Sequence, residues 1–264
     1  MSRIDLTFKR LRKKGQTALI PFIVVGDPDL AATEALIVRM AENGADIIEL
    51  GVPYSNPFAD GPVIQAAHQR ALQNGVNLRE VFYFVKRLKE IKIPLILMTY
   101  FNPVFYYGLR NFAEGCGESE IGGVIIPDLP PGETGAWIKE ARKSKLGTIF
   151  LIVPNMSIQK IKWVSRRSRG FIYYASRNDV TGIRKKLPED LEFAVKRVKE
   201  NTKKPVAVGF GISTPGQAKM ISHFADGVIV GSAIIKIIEE SFNCSNLVTR
   251  VGNFISSLAK AVKS

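Results

Sequence analysis

Short runs of β-branched and apolar residues return at nearly even intervals along the whole chain. They are "ALIPFIVVG" (18–26), "ADIIELG" (45–51), "IPLILMTY" (93–100), "IGGVIIPD" (121–128), "GTIFLIVP" (147–154), "GFIYYAS" (170–176), "PVAVGFG" (205–211) and "ADGVIVGS" (225–232). Near-continuous apolar runs of this length predict strands of a parallel sheet covered on both faces. Helix-like stretches separate them. "DLAATEALIVRMAENG" follows an Asp-Pro turn and stops at a glycine, as helices do. "PVIQAAHQRALQNG" and "LREVFYFVKRLKEI" fill the gap after the second strand. "TGAWIKEARKSK", "SIQKIKWVSRRS", "LEFAVKRVKEN", "TPGQAKMISHFA" and "AIIKIIEES" follow in turn, and "SNLVTRVGNFISSLAKAVK" comes last. Eight strands alternating with helices predict a (β/α)8 TIM barrel with extra helices, a single domain over residues 1–264. A doubly wound open sheet competes, but it usually carries a Gly-rich turn after its first strand. Here that position reads "GDPD".

Composition narrows the class. With 46% hydrophobic residues in 264, there is ample material for one large core. No apolar run approaches the roughly 20 residues of a membrane span. The beginning is basic before it is apolar, as in a signal peptide, but "ALIPFIVVG" is short, lacks a small-residue cleavage site and runs into a turn, so it is read as the first strand. Cys116 and Cys244 have neither disulfide nor zinc spacing, which favours a reducing cytoplasm. His68 and His223 fall in helix-like stretches and are read as structural. The net charge of +13 invites a nucleic-acid reading. Its clusters, "KRLRKK" (9–14), "RKSK" (142–145), "RRSR" (166–169) and "RKK" (184–186), are scattered and not interleaved with aromatics. They read as solvated surface, or as steering for an anionic substrate or acidic partner.

Chemistry in such barrels gathers where strands end. Glu49 lies near the end of the second run and Asp60 in the proline-punctuated loop after it. Tyr100 and Asn102 fall at the end of the third run, Asp128 ends the fourth, and Tyr173 lies late in the sixth. Two carboxyl groups in unlike surroundings are a way to obtain an acid and a base near neutral pH. Glu49, among aliphatics, should have its pKa raised, whereas Asp60, in a polar turn, should stay ionised more easily. A buried salt bridge for Glu49 and a helix N-cap for Asp60 ahead of Pro62 are the structural alternatives. "VGFGIST" (208–214) and "VGSAIIKII" (230–238) end the seventh and eighth runs. Glycine backbone N–H groups and a helix start bearing Ser232 suit a phosphate there. Gly182 could supply a further N–H, and the polar segment 177–187 reads as a lid touching ligand through Thr181 and Gly182.

With these residues in hand, the chain resembles the tryptophan synthase α-subunit family from the first strand to the last helix. "IELGVPYSNPFADGPVIQ", "MTYFNPVFYYG", "IIPDLP", "YYASRNDVTG", "VGFGIS" and "VGSAIIKII" carry the resemblance, in family order. It implies reversible cleavage of indole-3-glycerol phosphate to indole and glyceraldehyde 3-phosphate in tryptophan biosynthesis. It also implies an α2β2 assembly with a β subunit that holds pyridoxal phosphate and receives indole through a tunnel. The α chain itself would need no cofactor and no metal. At matching positions it implies Glu49 and Asp60 as the catalytic pair, supported by Tyr173, and Phe22 and Met98 in the indole pocket. Phosphate would rest on Gly182, Gly211, Gly231 and Ser232, with Thr181 on the lid. The partner interface would include Pro53, Asn56, Asn102 and Pro130. Two positions depart from the family's usual pattern: Asn56 stands where Asp is common, and Asp179 where Gly commonly precedes "VTG". Two other readings remain: another isomerase or epimerase on a phosphate-binding barrel, and a non-catalytic α-like activator of the β subunit.

Overall fold

Eight short parallel strands close on themselves in sequence order, the first pairing with the eighth as well as the second. The computed structural model describes residues 1–88, 90–175, 187–209 and 211–264. Its elements are α1 (Arg3–Lys13), β1 (Ala18–Val24), α2 (Leu30–Glu42), β2 (Ile48–Gly51), α3 (Pro62–Gln73), α4 (Leu78–Arg87) and β3 (Leu95–Met98). There follow α5 (Phe101–Tyr107), α6 (Leu109–Glu118), β4 (Gly123–Ile125), α7 (Gly135–Lys143), β5 (Gly147–Ile152), α8 (Ile158–Arg167) and β6 (Ile172–Ala175). The rest are α9 (Leu191–Glu200), β7 (Val206–Gly209), α10 (Pro215–Ser222), β8 (Gly227–Val230), α11 (Ser232–Glu239) and α12 (Leu247–Lys263). This is the expected (β/α)8 barrel.

Every strand is shorter than the apolar run that announced it. The surplus residues are the ends of the loops, so Tyr100 stands at the start of α5, beyond β3, and Asp128 lies in a turn beyond β4. The helices begin where local chemistry satisfies their free N–H groups. Asp29 accepts from the Ala32 N–H at 2.7 Å to start α2. Thr214 and Gln217 form a reciprocal capping box on α10, with Pro215 in the first position.

Three helices lie where the pattern predicts none. In α1, Ile4, Phe8 and Leu11 share one buried face while Lys9, Arg10, Arg12 and Lys13 stay in solvent. The dense charge masks that apolar spacing when the segment is read for composition. The helix lies across the N-terminal end of the barrel, where the Phe8 ring meets Phe171 at 5.6 Å. Ile4 fills the space over Gly123 and Gly170, within about 3.4 Å of where their missing Cβ atoms would stand. The other two, α5 and α6, meet at Gly108, whose φ of +88° suits glycine. α6 buries Phe112, Ala113 and Cys116.

Candidate active site

With one end of the barrel packed shut, the other opens into a cavity of about 420 Å³ including its mouth. Five strands supply one wall: Phe22 from β1, Glu49 from β2, Met98 from β3, Tyr173 from β6 and Ile229 from β8. Asp60 and Ile64 enter from the loop after β2 and the start of α3, and Gly211, Ile212, Gly231 and Ser232 form the facing rim.

Phe22 is the register neighbour of Glu49 across the β1–β2 pair. Its ring fits because Gly51 and Gly231 lack side chains: a Cβ at Gly51 would stand 2.8 Å from the ring, and one at Gly231 3.2 Å. Apolar walls therefore surround Glu49, which is 1% exposed. Its Oε2 has no hydrogen-bond partner, and no cation pairs with it among the described residues. The buried salt bridge is thus not what holds Glu49. Burial, and secondarily the charge of Asp60, push its pKa from 4.5 up to about 8. A neutral carboxylic acid near pH 7 is the result.

Asp60 is also buried, which differs from the polar turn expected of it. Nor does it cap α3, whose cap position is Gly61. Its Oδ2 instead accepts the Tyr100 hydroxyl at 2.8 Å and lies 3.5 Å from His68 Nε2, while Oδ1 has no partner. Tyr100 is held in turn by the Ala59 N–H, donated to its oxygen at 3.1 Å, and by the rings of Tyr54 and Phe58 at 5.1 and 5.3 Å. Burial and the neighbouring carboxylate push its phenol pKa far upward, so it remains a donor.

Tyr173 is buried beside both carboxyl groups. Burial first, then the charges of Glu49 and Asp60, raise its pKa well above the ordinary range. The ring lies across Gly209 at the end of β7, where an added Cβ would stand 2.2 Å from the hydroxyl oxygen. No side chain fits there.

On the facing rim, Gly211 has a φ of +80°, a conformation that L side chains rarely adopt. Gly231 stands at the cap of α11 and Ser232 is its first residue, buried in the cavity wall. The first turn of a helix leaves N–H groups unpaired and carries partial positive charge, which suits an anion. Thr181, Gly182, Asp179 and the rest of the expected lid, apart from Leu187, lie outside the described residues.

The remaining sequence candidates fall elsewhere. Asn56, Asn102 and Pro130 are exposed, and Pro53 is buried. Asp128 does not line the cavity; its Oδ1 accepts the Phe101 N–H at 2.8 Å at the start of α5. Sequence reading gave no role to Tyr100, Gly209 or Ile212, and treated His68 as a structural residue. One signal was available for His68: it stands one helical turn after Ile64, on the buried face of α3.

Comparison with known proteins agrees with this geometry. The family model described as tryptophan synthase alpha chain matches residues 8–263. The tryptophan synthase alpha chain of Geobacter sulfurreducens is 44% identical over 263 residues, covering 99% of both chains. That of Dehalococcoides mccartyi is 44% identical over 259 residues, covering 98% of this chain and all of its own. A solved Mycobacterium tuberculosis tryptophan synthase superposes with a TM-score of 0.92 at 36% identity, covering 100% of this chain and 99% of that one. The tryptophan synthase alpha subunit of Legionella pneumophila gives 0.91 at 34%, covering 99% and 98%.

Proposed function

The chain belongs to the tryptophan synthase alpha chain family and catalyses its lyase reaction, cleavage of indole-3-glycerol phosphate, and we propose that Glu49 is the acid–base group of that reaction, with Asp60 as its electrostatic partner. The observation that carries this reading is the buried, unpaired Oε2 of Glu49 in an apolar wall. A neutral Glu49 gives its proton to indole C3. The carboxylate so formed takes the proton of the C3′ hydroxyl as the C3–C3′ bond breaks, and the bonding electrons return to the ring. Protonation at C3 places positive charge on the indole nitrogen. Asp60, whose Oδ1 is unengaged, accepts that N–H and stabilises the charge. Phe22 and Met98 hold the ring, Tyr173 supports the two carboxyl groups, and Gly211, Gly231 and Ser232 take the phosphate together with Gly182. Thr181 belongs to the closing segment.

In this family pyridoxal phosphate is carried by the β subunit, and the α chain needs no cofactor. A β subunit is this chain's partner. We place its docking on the face that carries Asn56, Asn102 and Pro130, with Pro53 beneath. Phe58, Phe105 and Tyr106 on the same side are 59%, 67% and 95% exposed, an apolar patch of the kind that marks an interface. An α2β2 assembly in the cytoplasm, with residues 1–264 as one domain, completes the reading. It is supported by the family resemblance, by free Cys116 and Cys244, and by one barrel that takes in all eight strands. No helix among the described residues is long and apolar enough to cross a membrane.

The test is Glu49→Gln. Indole release from indole-3-glycerol phosphate should fall by about 10³-fold or more, with or without β subunit, while glycerol 3-phosphate still binds. Undiminished turnover would remove Glu49 from its role.

A further inference from the structure

His68 is the only buried histidine of the two, and it stands between the beginning and the end of the loop that carries Asp60. Its Nδ1 accepts the backbone N–H of Tyr54 at 3.3 Å. A ring nitrogen that accepts a hydrogen bond has no proton, so in the neutral imidazole the proton is on Nε2. Nε2 lies 3.5 Å from Asp60 Oδ2. Asp27, a buried carboxylate on the other side of His68, does not compete for it, because both Asp27 oxygens are taken by Arg70 at 2.6 and 3.0 Å. Asp60 Oδ2 thus faces two proton donors on its far side, the Tyr100 hydroxyl and His68 Nε2, and Oδ1 is left to the cavity.

We propose that His68, held as the Nε2–H tautomer by the Tyr54 backbone, is a positioning residue that fixes the Asp60 carboxylate so that Oδ1 meets the substrate. This rests on the Asp60 assignment made above and deepens it. His68 touches no reacting atom. It ties the entry of the loop, at Tyr54, to its catalytic end. The Tyr54 hydroxyl in turn accepts from Asn102 Nδ2 at 3.4 Å on the exposed side, so the restraint reaches from the surface to the carboxylate.

Two measurements test it. Selective ¹⁵N labelling of histidine gives only two spin systems, and His223→Gln assigns them. His68 should show a protonated Nε2 and an unprotonated Nδ1, with the Nε2 resonance moving in Asp60→Asn. A proton on Nδ1, or an imidazolium at neutral pH, would overturn the proposal without any folding question. Kinetically, His68→Leu should lower kcat for indole release about ten-fold with KM nearly unchanged. His68→Gln, whose amide N–H can take the place of Nε2–H, should restore most of the rate. In an Asp60→Asn background, His68→Leu should cost less than about two-fold, because the group it positions is gone. Equal losses in both backgrounds, or an unchanged kcat in His68→Leu, would contradict a positioning role. Wild-type turnover in Asp60→Asn alone would instead strike the Asp60 assignment beneath it.

Discussion

Asp46 and Glu49 lie three residues apart in one apolar run, and both are buried, at 3% and 1% exposure. Asp46 faces the closed end of the barrel, among partners for both of its oxygens. Its Oδ2 accepts the Leu19 N–H at 3.0 Å and meets Lys263 Nζ at 3.1 Å, and its Oδ1 meets Arg10 at 3.3 Å. Asp226 does the same nearby, accepting the Val206 N–H at 2.9 Å and Lys199 at 3.0 Å. Glu49, at the open end, has no such cation among the described residues, and its Oε2 accepts no hydrogen bond. The closed end uses carboxylates to tie strands to helices; the open end buries one without a cation partner among the described residues, and that burial keeps it protonated. Burial alone does not mark a functional acid. Burial without a cation does.

The contrast can be broken from either side. The largest effect should appear in the pH dependence of stability. Glu49 ionises near 4.5 when unfolded and near 8 when folded, so between those values the folded chain holds a proton that the unfolded chain has released. Stability from this group is full below the lower value and is lost as pH rises through the upper one. Glu49→Gln stays neutral throughout, and should gain on the native chain by up to about 4 kcal/mol between pH 4.5 and 9. Denaturant melts across that range read it, and parallel curves would count against an unpaired acid. At the closed end, Phe8→Ala should cost about 3 kcal/mol by leaving a cavity against Phe171, with kcat within about two-fold of native. A large loss of kcat in a folded Phe8→Ala would show that the two ends are coupled. Asp46→Asn should cost least, about 1–2 kcal/mol, since its cations are partly solvated. It should leave indole release untouched, in contrast to Glu49→Gln.

The barrel was legible because parallel strands buried on both faces must be apolar throughout, and all eight runs contain a strand. What hid α1 was its own solubility: five basic residues crowd around a narrow apolar stripe. Glu49 could be singled out because a charge in an apolar run is costly and needs a reason. Its difference from Asp46 could not be read, because the partners of Asp46 come from residues 10, 19 and 263. Tyr100 reaches Asp60 across 40 positions, and the need for glycine at 209 arises from its neighbour across β6–β7, where Ala175 pairs with Gly209 and Tyr173 lies alongside. Such contacts belong to register and closure, which no local pattern encodes.

The most direct measurement is a carbon-13 NMR titration of the Glu49 carboxyl in the folded chain, assigned by its loss in Glu49→Gln. We expect a midpoint at about 8. A midpoint near 4.5, the ordinary value, would mean that Glu49 is ionised at neutral pH and cannot be the resting acid that protonates indole.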